Sequence, residues 1–461
     1  MTESTALLAL SPLDGRYYLQ TRELSGYFSE FSLIRYRVRV EVAYLIALLE
    51  TTKAFVLSPK QISELQQMAD SFSIADAEAV KVHEAKCHHD VKAVEYFLRD
   101  KCSKLALAKV FPYIHFGLTS EDANSVAYGL ALKESRNKVI LPALLQIVDS
   151  LAHFVQANAE VPMLARTHGQ PAVPTTLGKE YAVFLSRLVP EIDAVRTAQF
   201  VAKVSGAVGT YSAQSLVFPE VNWITFSNEF LAKLGLTADP LSTQVVSAES
   251  YTRYFQSLSR INSILLDCAR DSWQYIADGW LVQISKSSDV GSSTMPQKVN
   301  PIDFENAEGN FGLANALLSH LSEKLPISRL QRDLSDSTLK RSFGTALGHT
   351  ILGIKSLTRG LSKVSPNPDT MSQALSAHPE ILSEGLQTLL RADGVGDAYE
   401  IFKEATRGKN NLSLDQLKVI ATKHAKTKTT KQKIASLTLE SYTGLAAQLA
   451  QQKGFYATTT A

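Results

Sequence analysis

The sequence predicts an all-α fold: three helical domains, the middle one a bundle of long helices. Three observations lead there. Apolar residues recur at three- and four-residue steps over stretches roughly twice the length of an average helix. Strand-like alternation is scarce. At 461 residues the chain is too long for a single compact core.

Residues 1–121 read as a smaller helical domain whose end falls near Thr119–Asp122. Residues 122–365 carry the long stripes. Over 134–158 these are Ile140, Leu144, Ile147, Leu151 and Phe154 or Val155. Over 177–203 they are Tyr181, Phe184, Leu188, Ile192 and Val195, with Pro190 expected to kink the helix. Over 252–280 they are Tyr254, Leu258, Ile261, Leu265, Cys268 and Tyr275. Over 303–325 they are Phe304, Ala307, Phe311, Ala314, Leu318, Leu321 and Leu325. Long neighbouring helices bury such stripes by packing into a bundle. Proline and asparagine in SKVSPNPDT (362–370) punctuate the pattern and leave 366–461 as a C-terminal helical domain. That domain holds Lys418, Lys423, Lys426, Lys428, Lys431 and Lys433, read as a solvated helical face, since no aromatic interleaving supports a polyanion site.

Composition narrows the function. A formal charge of +2 gives no reason to expect nucleic acid or an acidic membrane as partner. Cys87, Cys102 and Cys268 are too few and too irregular for a disulfide framework and fit a reducing compartment. The N-terminus lacks the basic start of a signal peptide, and no run approaches the ~20 apolar residues of a membrane helix. A cytoplasmic protein is expected.

Four segments break the helical rhythm. GSSTMPQKVNP (291–301) is a polar loop holding Ser292, Ser293, Lys298 and Asn300. Lysine supplies charge to a substrate carboxylate, while asparagine and hydroxyls orient it; the alternative is a plain interhelical loop. In ARTHGQPAVPTT (165–176), His168 sits beside Arg166 at a turn, where it could act as a general acid or merely cap a helix at the surface. In HEAKCHHDVKAVEY (83–96), His83, Cys87, His88 and His89 suggest a metal half-site, but no second ligand cluster appears elsewhere. A His89–Asp90 hydrogen bond fixing the imidazole is the competing reading. HFGLTSED (115–122) places Thr119 and Ser120 at a helix start, where hydroxyl and backbone donors can meet an anion.

No phosphate-binding glycine loop, dinucleotide fingerprint or H-E-x-x-H zinc motif occurs; GAVGTYSA (206–213) matches none of them.

Together the four segments are far more specific than any one. GSSTMPQKVNP resembles the signature loop of the superfamily of fumarase, aspartase, argininosuccinate lyase and adenylosuccinate lyase. DGRY (14–17), HDVKAVEYFL from His89, RTHGQPA (166–172) and MPQKVNPIDFEN (295–306) are similar to the adenylosuccinate lyases, in the form common in bacteria. The likeness runs to about residue 345 and more loosely beyond, through Glu404–Gly408. Gln297 stands where many of that family carry histidine and matches the argininosuccinate lyase wording; His88 stands where asparagine or serine is usual.

The resemblance implies a three-domain helical subunit whose central bundles form the core of a homotetramer, with each active site built from three subunits. It implies elimination of fumarate from adenylosuccinate to give AMP, and from the succinylated aminoimidazole carboxamide ribotide (SAICAR to AICAR), without metal or cofactor. His168 would be the general acid and Ser292 the general base; nothing in spacing prefers Ser292 to Ser293. Lys298, Asn300, Thr119 and Ser120 would hold the succinyl carboxylates. Arg16 and Tyr17, with Arg332, Ser337 and Arg341 in QRDLSDSTLKR, would bind the phosphate, and Thr338 of the same segment would contact the substrate. Gln244 would contact the succinyl or base region; His89, steadied by Asp90, would support the acid or the phosphate; His88 and Asn306 would contact the substrate, Asn306 closing the signature segment. Two alternatives stay open: another fumarate-releasing lyase, chiefly argininosuccinate lyase, and a catalytically silent structural homologue.

Overall fold

The structure, a computed structural model, describes residues 7–284, 295, 297–407, 412–452 and 454. It is predominantly helical, as the periodicity predicts. The long helices are Glu30–Thr52, Ser120–Ser135 continuing through a π turn into Leu141–Ala157, Leu177–Thr197, Glu249–Ala277, Ile302–Lys324 and Phe343–Leu361. The stripes read from the sequence are their buried faces. Leu144, Ile147, Leu151 and Val155 are fully buried, as are Leu258, Ile261, Leu265 and Cys268, and Ala307, Phe311, Ala314 and Leu318. Phe154 and Tyr275, at the margins of two stripes, are half-buried. Helix Leu177–Thr197 runs on past Pro190 to its end.

Among the described residues three short strand pairs join the helices: Pro162–Thr167 with Gln170–Thr176, Val201–Ala202 with Thr237–Ala238, and Leu281–Gln283 with Val364–Pro366. Alternation cannot announce a two- or three-residue strand, because the period has no room to repeat.

The chain divides into two compact units. The first comprises Met1–Leu144, Glu191–Ser263 and Gly309–Ile354; the second comprises Leu145–Pro190, Ile264–Glu308 and Lys355–Ala461. Within the first, Val38, Val42 and Leu45 of helix Glu30–Thr52 pack with Leu65, Val80, Val94 and Phe97 of the three helices that follow. Those helices are set by local chemistry: Ser58 with Gln61, and Ser73 with Asp76, form capping boxes, and Pro59 occupies a first-turn position. Within the second unit, Leu386, Leu390, Phe402, Leu417, Ala421 and Ile434 form a separate C-terminal core. Of the lysines around it, Lys423, Lys426, Lys428, Lys431 and Lys433 are exposed as the sequence suggests, while Lys418 is half-buried and donates to the Ala435 carbonyl at 3.0 Å.

One sequence expectation needs correcting. The helix spanning 120–157 contains an 18-residue window of mean hydropathy 1.5, so it is long and apolar enough to cross a membrane by length and composition. Its Leu144, Ile147, Leu151 and Val155 already serve as core residues, and 39% of the window is buried. Apolar fillers on the remaining helix faces raise the mean hydropathy without a charge-free run.

Two packing details in the fold are testable. Gly178 lies in the first turn of helix Leu177–Thr197, where a Cβ would stand 2.6 Å from the Val155 carbonyl oxygen and the Ala159 Cα. Helix propensity favours Gly178→Ala by about 1 kcal/mol, but backbone cannot retreat as a flexible side chain can. The variant should therefore lose about 1–3 kcal/mol in a denaturant titration, and a gain would contradict this packing.

In the first unit the loop leading to Thr119 is pinned twice. His115 (φ 59°) approaches the buried Glu41 carboxylate at 2.6 Å, and Tyr44 donates to the Phe116 carbonyl at 3.0 Å. Burial alone would lower the His115 pKa, but Glu41, with Glu95 and Asp122 behind it, raises it above the ordinary imidazole value. The pair's contribution is then complete below about pH 6.5 and fades as pH climbs through the raised value. Wild type and His115→Gln should differ most in thermal stability near pH 6 and converge toward about pH 9. A gap that widened with pH would refute the pairing.

Candidate active site

The first unit brings Asp90, Gln244, Arg332 and Arg341 into one network at the helix start that follows Thr119. Helix Ser120–Ser135 begins after Thr119, whose backbone N–H donates to the Asp122 carboxylate at 2.8 Å. The same carboxylate accepts from the Ser205 and Gly206 backbone N–H groups, each at 3.0 Å, and from the Lys203 ammonium at 2.6 Å. Both charged side chains are fully buried. Burial pushes the Asp122 carboxyl up, against the pull of Lys203 and those N–H donors. Breaking such a pair by removing one partner costs about 3–5 kcal/mol, because the other charge stays buried. Thr119 and Ser120 are therefore held firmly.

Glu121, the residue before, points elsewhere. It meets Lys340 at 2.8 Å and Arg332 at 3.3 Å, and accepts from the Asn124 amide at 2.8 Å. Burial would raise its pKa, but Lys340, Arg332 and Asn124 hold it below the usual carboxylate range, so it is ionised. Arg332 also donates to the Gln244 side-chain oxygen at 3.1 Å, joining two predicted residues directly. Asn124 continues the network to Arg37 (2.9 Å), and Arg37 to Asp90 (2.8 Å). Asp90 also takes Arg341 at 3.2 Å, and Arg341 reaches Glu30 at 3.0 Å. Burial disfavours the Asp90 charge, yet Arg37 and Arg341 keep its pKa below the normal value.

Asp14 of the DGRY segment and Arg341 line one cavity of about 270 Å³, with Tyr18, Ser29 and Gly344. Arg16 is exposed, its guanidinium 6.0 Å from the Tyr17 ring centroid. Ser337 is half-buried and Thr338 exposed on the short helix Ser335–Lys340.

The His89–Asp90 hydrogen bond is absent. His89 caps helix Asp90–Lys104, its Nδ1 accepting from the Lys92 backbone N–H at 3.1 Å and standing 3.9 Å from Asp90. With Nδ1 accepting, the neutral ring carries its proton on Nε2. Asp90 is bound by arginines instead, whose guanidinium groups carry a permanent charge. His88 is the left-handed residue (φ 52°) between two helices, and its side chain is exposed.

His168 belongs to the second unit. Strands Pro162–Thr167 and Gln170–Thr176 form an antiparallel hairpin in which Thr167 pairs with Gln170. That leaves His168 and Gly169 as a two-residue turn, with φ of 54° and 75°. Two positive φ values in a two-residue loop make a type I′ turn, whose twist matches the strands. A histidine at the first position is strained compared with asparagine or glycine, and here it is exposed at the tip. Arg166 packs over Trp280 at 5.5 Å, steadying one strand.

Ser292 and Ser293 lie outside the described residues. Past them, Lys298 is exposed, with its backbone N–H bonded to the Met295 carbonyl at 3.1 Å. Gln297 is exposed and Asn300 half-buried. Asn306, on helix Ile302–Lys324, accepts from the Ser356 hydroxyl at 2.7 Å.

Sequence reasoning missed Arg37, Glu121, Asn124, Lys203 and Lys340. Each looks like an ordinary surface residue in its own segment; the partner that buries Lys340 is 219 positions away. The one available signal was the adjacent Glu121–Asp122 pair ahead of the mostly small and apolar stretch 125–132.

Residues 15–314 match the family described as Lyase, and residues 328–443 that described as Adenylosuccinate lyase C-terminal. Adenylosuccinate lyase of Haemophilus influenzae is 43% identical over 409 residues, covering 88% of this chain and 90% of that protein. The enzyme of that name from Buchnera aphidicola is 41% identical over 449 residues, covering 97% of each. That of Dictyostelium discoideum is 45% identical over 414 residues, covering 87% of this chain and 88% of its own. In fold, the chain is similar to 3-carboxy-cis,cis-muconate lactonizing enzyme from Pseudomonas putida. The TM-score is 0.75 over 95% of this chain and 98% of that one, at 17% identity. Since both matched regions and full-length relatives agree, the chain belongs to the adenylosuccinate lyase family.

Proposed function

We propose that the chain eliminates fumarate from adenylosuccinate to give AMP, and from SAICAR to give AICAR, as a carbon–nitrogen lyase of purine biosynthesis. Family membership over nearly the whole chain carries this reading.

The difficult step is removing a proton beside a carboxylate, because the carbanion loads a second negative charge onto that group. Fixed donors around the carboxylate are the physical remedy. Lys298 and Asn300, with Thr119 and Ser120, take that role. Ser292 removes the proton, which requires a hydroxyl strongly acidified by neighbouring N–H groups and Lys298. The C–N bond then breaks, its electron pair stays on nitrogen, and His168 delivers a proton there. Exposure at a hairpin tip suits a residue that must reach a substrate rather than its own core. Arg332, Ser337, Thr338 and Arg341, with Arg16 and Tyr17, receive the phosphate; Gln244, tied to Arg332, lies beside them. His88, His89 and Asp90 flank that phosphate end, and Asn306 anchors the signature segment.

The reading includes a homotetramer of three-domain subunits (1–121, 122–365 and 366–461) in the cytoplasm, with sites shared between subunits. The separate cores near each terminus support the outer two domains. Neither metal nor organic cofactor enters the chemistry. Gln297 favours the sister reading, argininosuccinate lyase; arginines poised for a phosphate favour adenylosuccinate.

Purified protein should consume adenylosuccinate, with fumarate appearing by absorbance, and leave argininosuccinate untouched. His168→Ala should slow turnover by about 10²–10⁴-fold without unfolding the protein. Turnover of argininosuccinate alone would overturn the substrate assignment. If sites are shared, mixing His168→Ala with Arg341→Ala subunits after dissociation should restore part of the activity each lacks. A mixture as inactive as its components would sink the shared-site reading.

A further inference from the structure

Arg332 and Arg341, assigned above to the substrate phosphate, are tied to carboxylates through one buried residue. The Glu121 side chain is 2% exposed, yet both its oxygens are occupied. Oε1 accepts from Asn124 at 2.8 Å and faces Arg332 at 3.3 Å; Oε2 accepts from Lys340 at 2.8 Å. The Lys340 side chain is 6% exposed and its ammonium also donates to Asp336 at 2.6 Å, anchoring both ends of the turn that carries Ser337 and Thr338. Through Asn124 and Arg37 the same carboxylate connects to Asp90 and so to Arg341.

Charges in this cluster cancel. Glu30, Asp90, Glu121 and Asp336 face Arg37, Arg332, Lys340 and Arg341. A balanced cluster exerts little net pull on an anion. What it offers is direction: Arg332 donates one N–H to Gln244 and lies ion-paired against Glu121, and together these ties fix how its guanidinium is aimed.

We propose that Glu121 is the positioning residue of the phosphate subsite, fixing Arg332 directly and the Ser335–Arg341 segment through Lys340. The inference rests on the reading of Arg332 and Arg341 as phosphate ligands. Glutamine at this position keeps one acceptor but turns an N–H₂ toward Lys340 or Arg332, so one buried cation loses its oxygen.

The test compares full-length wild type and Glu121→Gln for adenylosuccinate turnover and for competitive inhibition by AMP and by adenosine, which lacks the phosphate. Positioning predicts that KM for adenylosuccinate and the AMP inhibition constant rise about tenfold. The adenosine constant should stay within about twofold and kcat should fall far less than KM rises. Because Glu121→Gln could compromise folding, the double variant Glu121→Gln/Lys340→Met, which removes the stranded ammonium, should fold and show the same selective loss of AMP.

Tighter AMP binding would mean that Glu121 acts only as a repelling charge, which overturns the proposal. Equal weakening of AMP and adenosine would mean a purely structural role, and overturns it too. Arg332→Ala separates this inference from the reading beneath it. If that variant weakens AMP selectively while Glu121→Gln does not, the positioning role alone is lost. If it fails to separate AMP from adenosine, the phosphate assignment falls and takes the inference with it.

Discussion

Two adjacent carboxylates, Glu121 and Asp122, are buried at the first turn of one helix, and each is tolerated there because a buried lysine meets it. An isolated carboxylate in such a place would be neutral or would unfold its surroundings. The requirement for partners therefore organises the first unit. Lys203 must approach Asp122, which brings the backbone N–H groups of Ser205 and Gly206 with it. Lys340 and Arg332 must approach Glu121, which places Gln244 beside them. Successive side chains on a helix diverge by about 100°, so the two acids recruit different segments rather than compete for one.

Desolvation offsets much of the attraction within such pairs, so what they supply is position more than stability. For an enzyme that must aim donors at a doubly charged carboxylate and a phosphate, position matters more. Donors already oriented when substrate arrives need no reorganisation in the transition state. In the second unit, His168 sits exposed at a hairpin tip with positive φ. The strain of that turn is borne by a hairpin whose flanking strand is steadied by Arg166 on Trp280.

Much of this was legible before any coordinates. The apolar stripes of the long helices, the polar turn at Thr119–Asp122, the exposed lysines of the C-terminal domain and the signature segments all follow from local pattern. What pattern could not deliver was the partner of each charged residue. Lys340 reads as one more lysine at the end of a short helix, Arg37 as one of three arginines in a row of alternating residues. His89 and Asp90 are neighbours in sequence, and proximity suggested a bond that the structure assigns elsewhere, to Lys92 and to Arg37.

The sequence by itself determined the helical class, the positions of the buried stripes and the family, because these depend on periodicity and on contiguous motifs. Tertiary structure alone decided which ions are buried, which guanidinium faces which carboxylate, and that His168 tops a hairpin rather than a helix end. The physical reason is range. Backbone preference and hydrophobic period are set within a few residues. The free energy of a buried charge depends on groups that chain folding delivers from as far as 219 positions away.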